Sequence, residues 1–150
     1  MLNPGMLNKR FFISWIVSSV VMFALSYVWH GILLNDFKML TIPQGVFLSF
    51  AGVAYLLIGA LVTRLFSLEY FTKLSRHLFL RGLLVGAVCG FMIFIVTIVT
   101  GVSFTKNSTS AFILVDMTWQ LIEQAIGGFA VGVVHASVWD DSMIHPSDMD

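Results

Sequence analysis

Four long apolar runs, separated by short polar stretches, organise this chain. They cover residues 11–34, 46–66, 78–100 and 111–138. The hydrocarbon core of a bilayer is crossed by about 20 mostly apolar helical residues, so each run is long enough to span it. The runs are continuous rather than alternating, which argues against the strands of a β-barrel. The gaps hold turn and polar residues: Asn35-Asp36 to Pro43-Gln44-Gly45, Ser67 to His77, and Lys106 to Ser110. The first run follows Lys9-Arg10 but is too long for a signal-peptide core, and no small-x-small cleavage site follows it. A retained signal-anchor helix is expected there. The predicted fold is an all-α membrane protein, with four transmembrane helices in a compact bundle. It forms one integral membrane domain with a polar, acidic tail over 140–150.

The gap between the second and third runs has a helical pattern of its own. Leu68, Phe71, Leu74 and Leu78 recur at near-helical spacing, with Glu69, Lys73 and Arg76 on the other face. Glu69 and Lys73 form an i,i+4 pair in the favourable order. A short amphipathic segment lying at the lipid surface is predicted, or else a helical extension of a span.

Composition sharpens this picture. Apolar residues make up 58% of the chain and charged residues 11%, whereas soluble domains carry about 25% charge. Sixteen charged side chains cannot cover a water-facing surface of this size. The net charge is zero and no basic face exists, so nucleic-acid partners are not expected. The expected partner is the lipid bilayer, together with a second copy or a larger membrane complex. Cys89 is the only cysteine and cannot form an internal disulfide.

The positions of the cations set an orientation. Lys9, Arg10, Arg64, Lys73, Arg76 and Arg81 flank one set of ends, whereas the other loops hold only Lys38 and Lys106. The positive-inside rule then places both termini and the middle loop in the cytoplasm. Short basic flanks and small size suit a bacterial inner membrane.

Small residues form stripes suited to helix packing, which lipid does not otherwise drive. The second run has Gly45, Ser49, Gly52, Gly59 and Thr63 on one face. The third repeats Gly82, Gly86 and Gly90, and the fourth repeats Gly128 and Gly132. Intramolecular packing is the first expectation, with binding of a second subunit as the alternative.

The fourth run carries the polar groups that call for an explanation. Asp116, Gln120, Glu123 and Gly127 follow i, i+4, i+7, i+11 and share a face, with Trp119 and Gln124 beside it. A charge at the bilayer centre costs about 3 kcal/mol on insertion scales. Such a group must be partnered, face a cavity or change protonation state. Asp116 lies about 10 Å along the helix from Glu123. On the first run, Ser19, Phe23, Ser26 and His30 make a matching stripe, which puts His30 level with Asp116. A His30–Asp116 pair is the expected long-range contact.

Three chemistries fit this cluster. The plainest is a hydrogen-bonded polar core that fixes helix packing. The second is a proton or cation site using His30, Asp116, Gln120, Glu123 and Gln124. The third is a metal, haem or catalytic site, for which the spacing offers little. No His-x-x-x-His, Glu-x-x-His or Cys-x-x-Cys pattern occurs, nor any nucleophile elbow or phosphate loop. Asp116 and His135 are about 28 Å apart along a helix, so His30 and His135 cannot share an iron. No metal and no cofactor is expected, and no catalytic residues are assigned. The expected function is a non-catalytic accessory or interaction subunit with a buried polar site. The alternative is a small proton- or cation-coupled carrier using Glu123, Asp116 and His30.

Overall fold

A computed structural model describes residues 9–102 and 110–138. Lys106, the Asn107-Ser108-Thr109 triplet and the acidic tail over 140–150 lie outside the described residues. The chain is helical, with no strand among the described residues. Helix α1 runs Lys9–Ser26 and continues as a π-helical segment, Tyr27–Leu33. A 3-10 turn, Asp36–Met39, leads to α2, Gln44–Phe66. The short helix α3, Glu69–Leu74, precedes α4, Leu78–Val102, and α5, Ser110–Ser137.

Three helical stretches are long and apolar enough to cross a membrane: Lys9–Leu33, Gln44–Phe66 and Leu78–Val99. Together they fit a small membrane-embedded protein. Helix α5 has the length, at 28 residues, but its acids and amides lower its apolarity. Large apolar side chains such as Phe50, Leu57, Val96 and Leu114 point outward. In water that surface would be prohibitive. In lipid it is the expected outer face.

Glycine decides where backbones touch. A Cβ added at Gly82 would fall on the Gly128 carbonyl of α5, and one at Gly86 on the Gln124 carbonyl. At Gly90 it would lie 2.8 Å from the Gln120 oxygen, and at Gly132 it would lie 2.7 Å from the Leu78 oxygen. The α4 triplet therefore faces α5 within the same chain. Gly127, on the neighbouring side of α5, receives Met22 of α1, and Ser18 Oγ donates to the Gly127 carbonyl at 2.9 Å. Gly59 of α2 packs against Ser19 of α1.

The upper half of the α2 stripe behaves differently from expectation. Among the described residues no atom stands within 4 Å of a Cβ built at Gly45 or Gly52, so neither packs against another helix of this chain there. A small residue on a helix face permits close approach without producing it. Helix α2 meets α1 closely at Gly59, below which Val62 and Phe66 join Val85, Cys89 and Val131 in the apolar core. Towards Gly45 it stands away.

Helix α3 forms where the amphipathic pattern predicts one. Its Glu69–Lys73 pair is 2.7 Å long and exposed at both ends, so its contribution is small.

The end of α1 loosens before it turns. Leu34 N–H donates to the Trp29 carbonyl at 2.8 Å, an i→i+5 bond. Asn35 then takes φ 59°, ψ 28°, a left-handed conformation that asparagine tolerates better than most residues. That single residue reverses the chain and folds the 3-10 turn back over α1.

Candidate functional site

Glu123 stands at the centre of the polar face of α5 and is 1% exposed. Its neighbours are donors rather than cations. The Trp119 indole Nε1 donates to Glu123 Oε2 at 3.1 Å, one helical turn earlier. Gln124 Nε2 makes a longer 3.5 Å contact to Oε1. From α2, the Tyr55 hydroxyl interacts with the Glu123 carboxyl and also with Ser26 of α1. Among the described residues neither Glu123 nor Asp116 forms an ion pair with a Lys or Arg.

Trp119 is itself fixed from α1. Its ring stacks on Trp29 with centroids 4.2 Å apart and planes 9° from parallel. Two aromatic faces in this arrangement contribute about 0.5–1.5 kcal/mol beyond their burial. The π-helical widening of α1 carries both Trp29 and His30, and π segments recur at functional sites.

His30 does not pair with Asp116. Its Nδ1 lies 2.9 Å from Asp36 Oδ2, across the Asn35 reversal. The expectation from helix register treated the two spans as straight rods. The left-handed Asn35 brings a carboxylate from the adjoining turn to His30 first. Asp116 and His30 both remain close enough to act electrostatically on Glu123.

A cavity of about 450 Å³ opens beside this cluster, where α2 stands away from its neighbours. His30, Tyr55, Ser26 and Gln120 supply its polar lining. Phe23, Phe37 and Phe47 supply much of the apolar wall. Phe37 also reaches over Gly31, where any Cβ would collide with its ring. Phe37 contacts Tyr27 at 5.4 Å and Phe47 at 5.8 Å between centroids. The 3-10 turn therefore forms one wall of the cavity, and Gly31 is what lets it settle there.

The candidate residues thus divide. His30 and Gln120 line the cavity, Glu123 sits behind Tyr55, and Asp116 lies farther along the same helix. Gln124 is fully buried, its Oε1 without a hydrogen-bond partner among the described residues, and it packs against Gly86 and Gly90 of α4. Tyr55 and Gly31 were not singled out from the sequence. The available signal for Tyr55 was a tyrosine in mid-span, far from the interfaces where amphipathic rings usually sit.

The opposite end of the helices holds a second set of polar contacts. Ser14 Oγ is 3.1 Å from His135 Nδ1, and the His135 ring packs against Phe66. Arg81, 9% exposed, stands 4.0 Å over the Phe66 ring and donates to Thr72 Oγ1 at 3.0 Å. Arg10 donates to the Val138 carbonyl, joining the start of α1 to the end of α5. Among the described residues no group of three His, Cys, Asp or Glu side chains is arranged to hold a metal ion.

No family model, no curated protein and no solved structure matches this chain.

Proposed function

We propose that this chain is a four-span integral membrane protein that acts by binding, as an accessory or interaction subunit without catalytic machinery of its own. Helix α5 is the fourth span. Its central acid is tolerable because Glu123 is buried beside Tyr55 of α2, while Leu114, Val115, Ile122 and Phe129 turn outward. Both termini lie in the cytoplasm of a bacterial inner membrane. Arg10, Arg64 and Arg81 all belong to one end of the helices, as the positive-inside rule requires of the cytoplasmic side.

The observation that carries the binding reading is the cavity of about 450 Å³ set against the Tyr55–Glu123–Trp119 cluster. Mostly apolar clefts with a few convergent polar groups are where small molecules bind. The glycine face of α4 is occupied by α5, so a partner subunit would bind elsewhere. The test is purification from native membranes in a mild detergent, followed by analysis of small molecules released on denaturation. The wild-type chain should carry one, and Ala51→Trp, which fills the cavity, should not. A wild-type chain that purifies with an empty cavity would overturn the reading.

A carrier is the second reading, favoured by the link from Glu123 through Tyr55 to the cavity wall. In proteoliposomes, Glu123→Gln and Asp116→Asn should then abolish pH-dependent flux while the helices stay folded. Retained flux in both variants would remove this reading.

A further inference from the structure

We propose that the cavity accepts a hydrophobic monocation, an alkyl or aryl ammonium, rather than a neutral or anionic molecule. This rests on the reading of the chain as a binding protein and adds the ligand's chemical class. The first support is the wall itself. Phe23, Tyr27, Phe37, Phe47 and Tyr55 surround the space, and aromatic faces attract cations by about 2 kcal/mol or more once water is removed.

The second support is charge. Among the described residues no Lys or Arg lines the cavity, so an anion would find no permanent cation there. Close to the cavity stand Asp36, which contacts the lining residue His30, and Glu123, which lies behind the lining residue Tyr55. His30 is engaged by Asp36. Lys38, on the 3-10 turn, is exposed and not part of the lining. Glu123 is buried with only neutral donors on its oxygens, although buried charges are normally paired. A cation in the cavity would be separated from Glu123 by the Tyr55 hydroxyl and would supply the positive partner that this carboxyl lacks among the described residues.

The experiment compares two molecules of one shape. Benzyltrimethylammonium is a permanent cation, and neopentylbenzene is its neutral carbon isostere. Binding to the purified full chain is measured by calorimetry in a maltoside detergent, with Ala51→Trp as the blank. The cation should bind at least about tenfold more tightly than the isostere. Glu123→Gln should remove most of that preference, weakening the cation more than the isostere. Asp36→Asn serves as a second variant, because its partly exposed pair makes misfolding a smaller concern. Equal affinity of the two molecules in the wild type would overturn the cation proposal and leave the binding reading standing. Absence of binding by both would overturn both.

Discussion

Trp119 donates its indole hydrogen to the Glu123 carboxylate from one turn earlier on the same helix, at 3.1 Å. The pair makes α5 partly self-sufficient, since a carboxylate that lipid would reject receives a donor from its own helix. The donor is then held in place from α1 by the flat contact with Trp29. Trp119→Phe keeps the stack but removes the donor. A buried acceptor left short of a partner costs about 1–3 kcal/mol. Thermal unfolding in detergent should register that loss. Wild-type stability in Trp119→Phe would mean the bond contributes nothing.

Gly86 and Gly52 offer a matched comparison. Each lies in a stripe of small residues on an apolar helix, yet Gly86 faces the Gln124 backbone and Gly52 faces open space. Gly86→Ala must push α4 and α5 apart, and overpacking of this kind costs about 1–3 kcal/mol. Gly52→Ala should match or exceed the wild type, by up to about 1 kcal/mol, because alanine favours a helix interior over glycine and its methyl meets open space. Unfolding midpoints of the two variants, measured side by side, check this. Equal losses would contradict the helix pairing.

The His30–Asp36 pair is short but partly exposed, with side chains 35% and 41% accessible. Such pairs contribute at most about 1 kcal/mol. Asp36→Asn should therefore leave the unfolding midpoint nearly unchanged. The same variant frees His30 at the cavity wall, so a nitrogen-15 imidazole resonance should shift. An unmoved resonance would mean that Asp36 does not set the state of His30.

Arg81 presents the opposite balance. It is buried, its Nε has no partner among the described residues, and it lies on the Phe66 ring. Much of its role is packing of the stem and the guanidinium face. Arg81→Met retains most of that volume and discards the cost of a poorly partnered charge, and such replacements are often neutral or stabilising. Arg81→Met should be more stable than Arg81→Ala by about 2 kcal/mol or more. If both variants lose the same stability, the charge rather than the packing matters at this position.

Much of the architecture was legible because hydrophobic run length maps directly onto helix length. The second and fourth runs, 46–66 and 111–138, meet the helices Gln44–Phe66 and Ser110–Ser137 within two residues at each end. The amphipathic spacing around Glu69 and Lys73 likewise met a short helix. The glycine repeats indicated which faces could touch, but a repeat cannot say whether a neighbour arrives, as Gly52 shows. The His30 partner was missed because register arithmetic assumes straight helices. A π-helical widening followed by a left-handed asparagine breaks that assumption within a few residues. The cavity was illegible for the same reason. It exists where α2 stands away from its neighbours, and no residue pattern along one helix records a separation between two.

The account depends most on the facing of α5, which collision measurements on spin labels test directly. Labels would be attached one at a time to Val115→Cys, Ile122→Cys, Ile126→Cys, Phe129→Cys and Val133→Cys, in a Cys89→Ala background and in lipid vesicles. These side chains are 37–53% exposed along one stripe of α5. All five should collide freely with oxygen and little with a water-soluble nickel chelate, whereas a label at Val131→Cys, a fully buried position, should be shielded from both. High nickel access along the whole stripe, or oxygen access greatest at Val131, would contradict a fourth span whose carboxylates turn away from lipid.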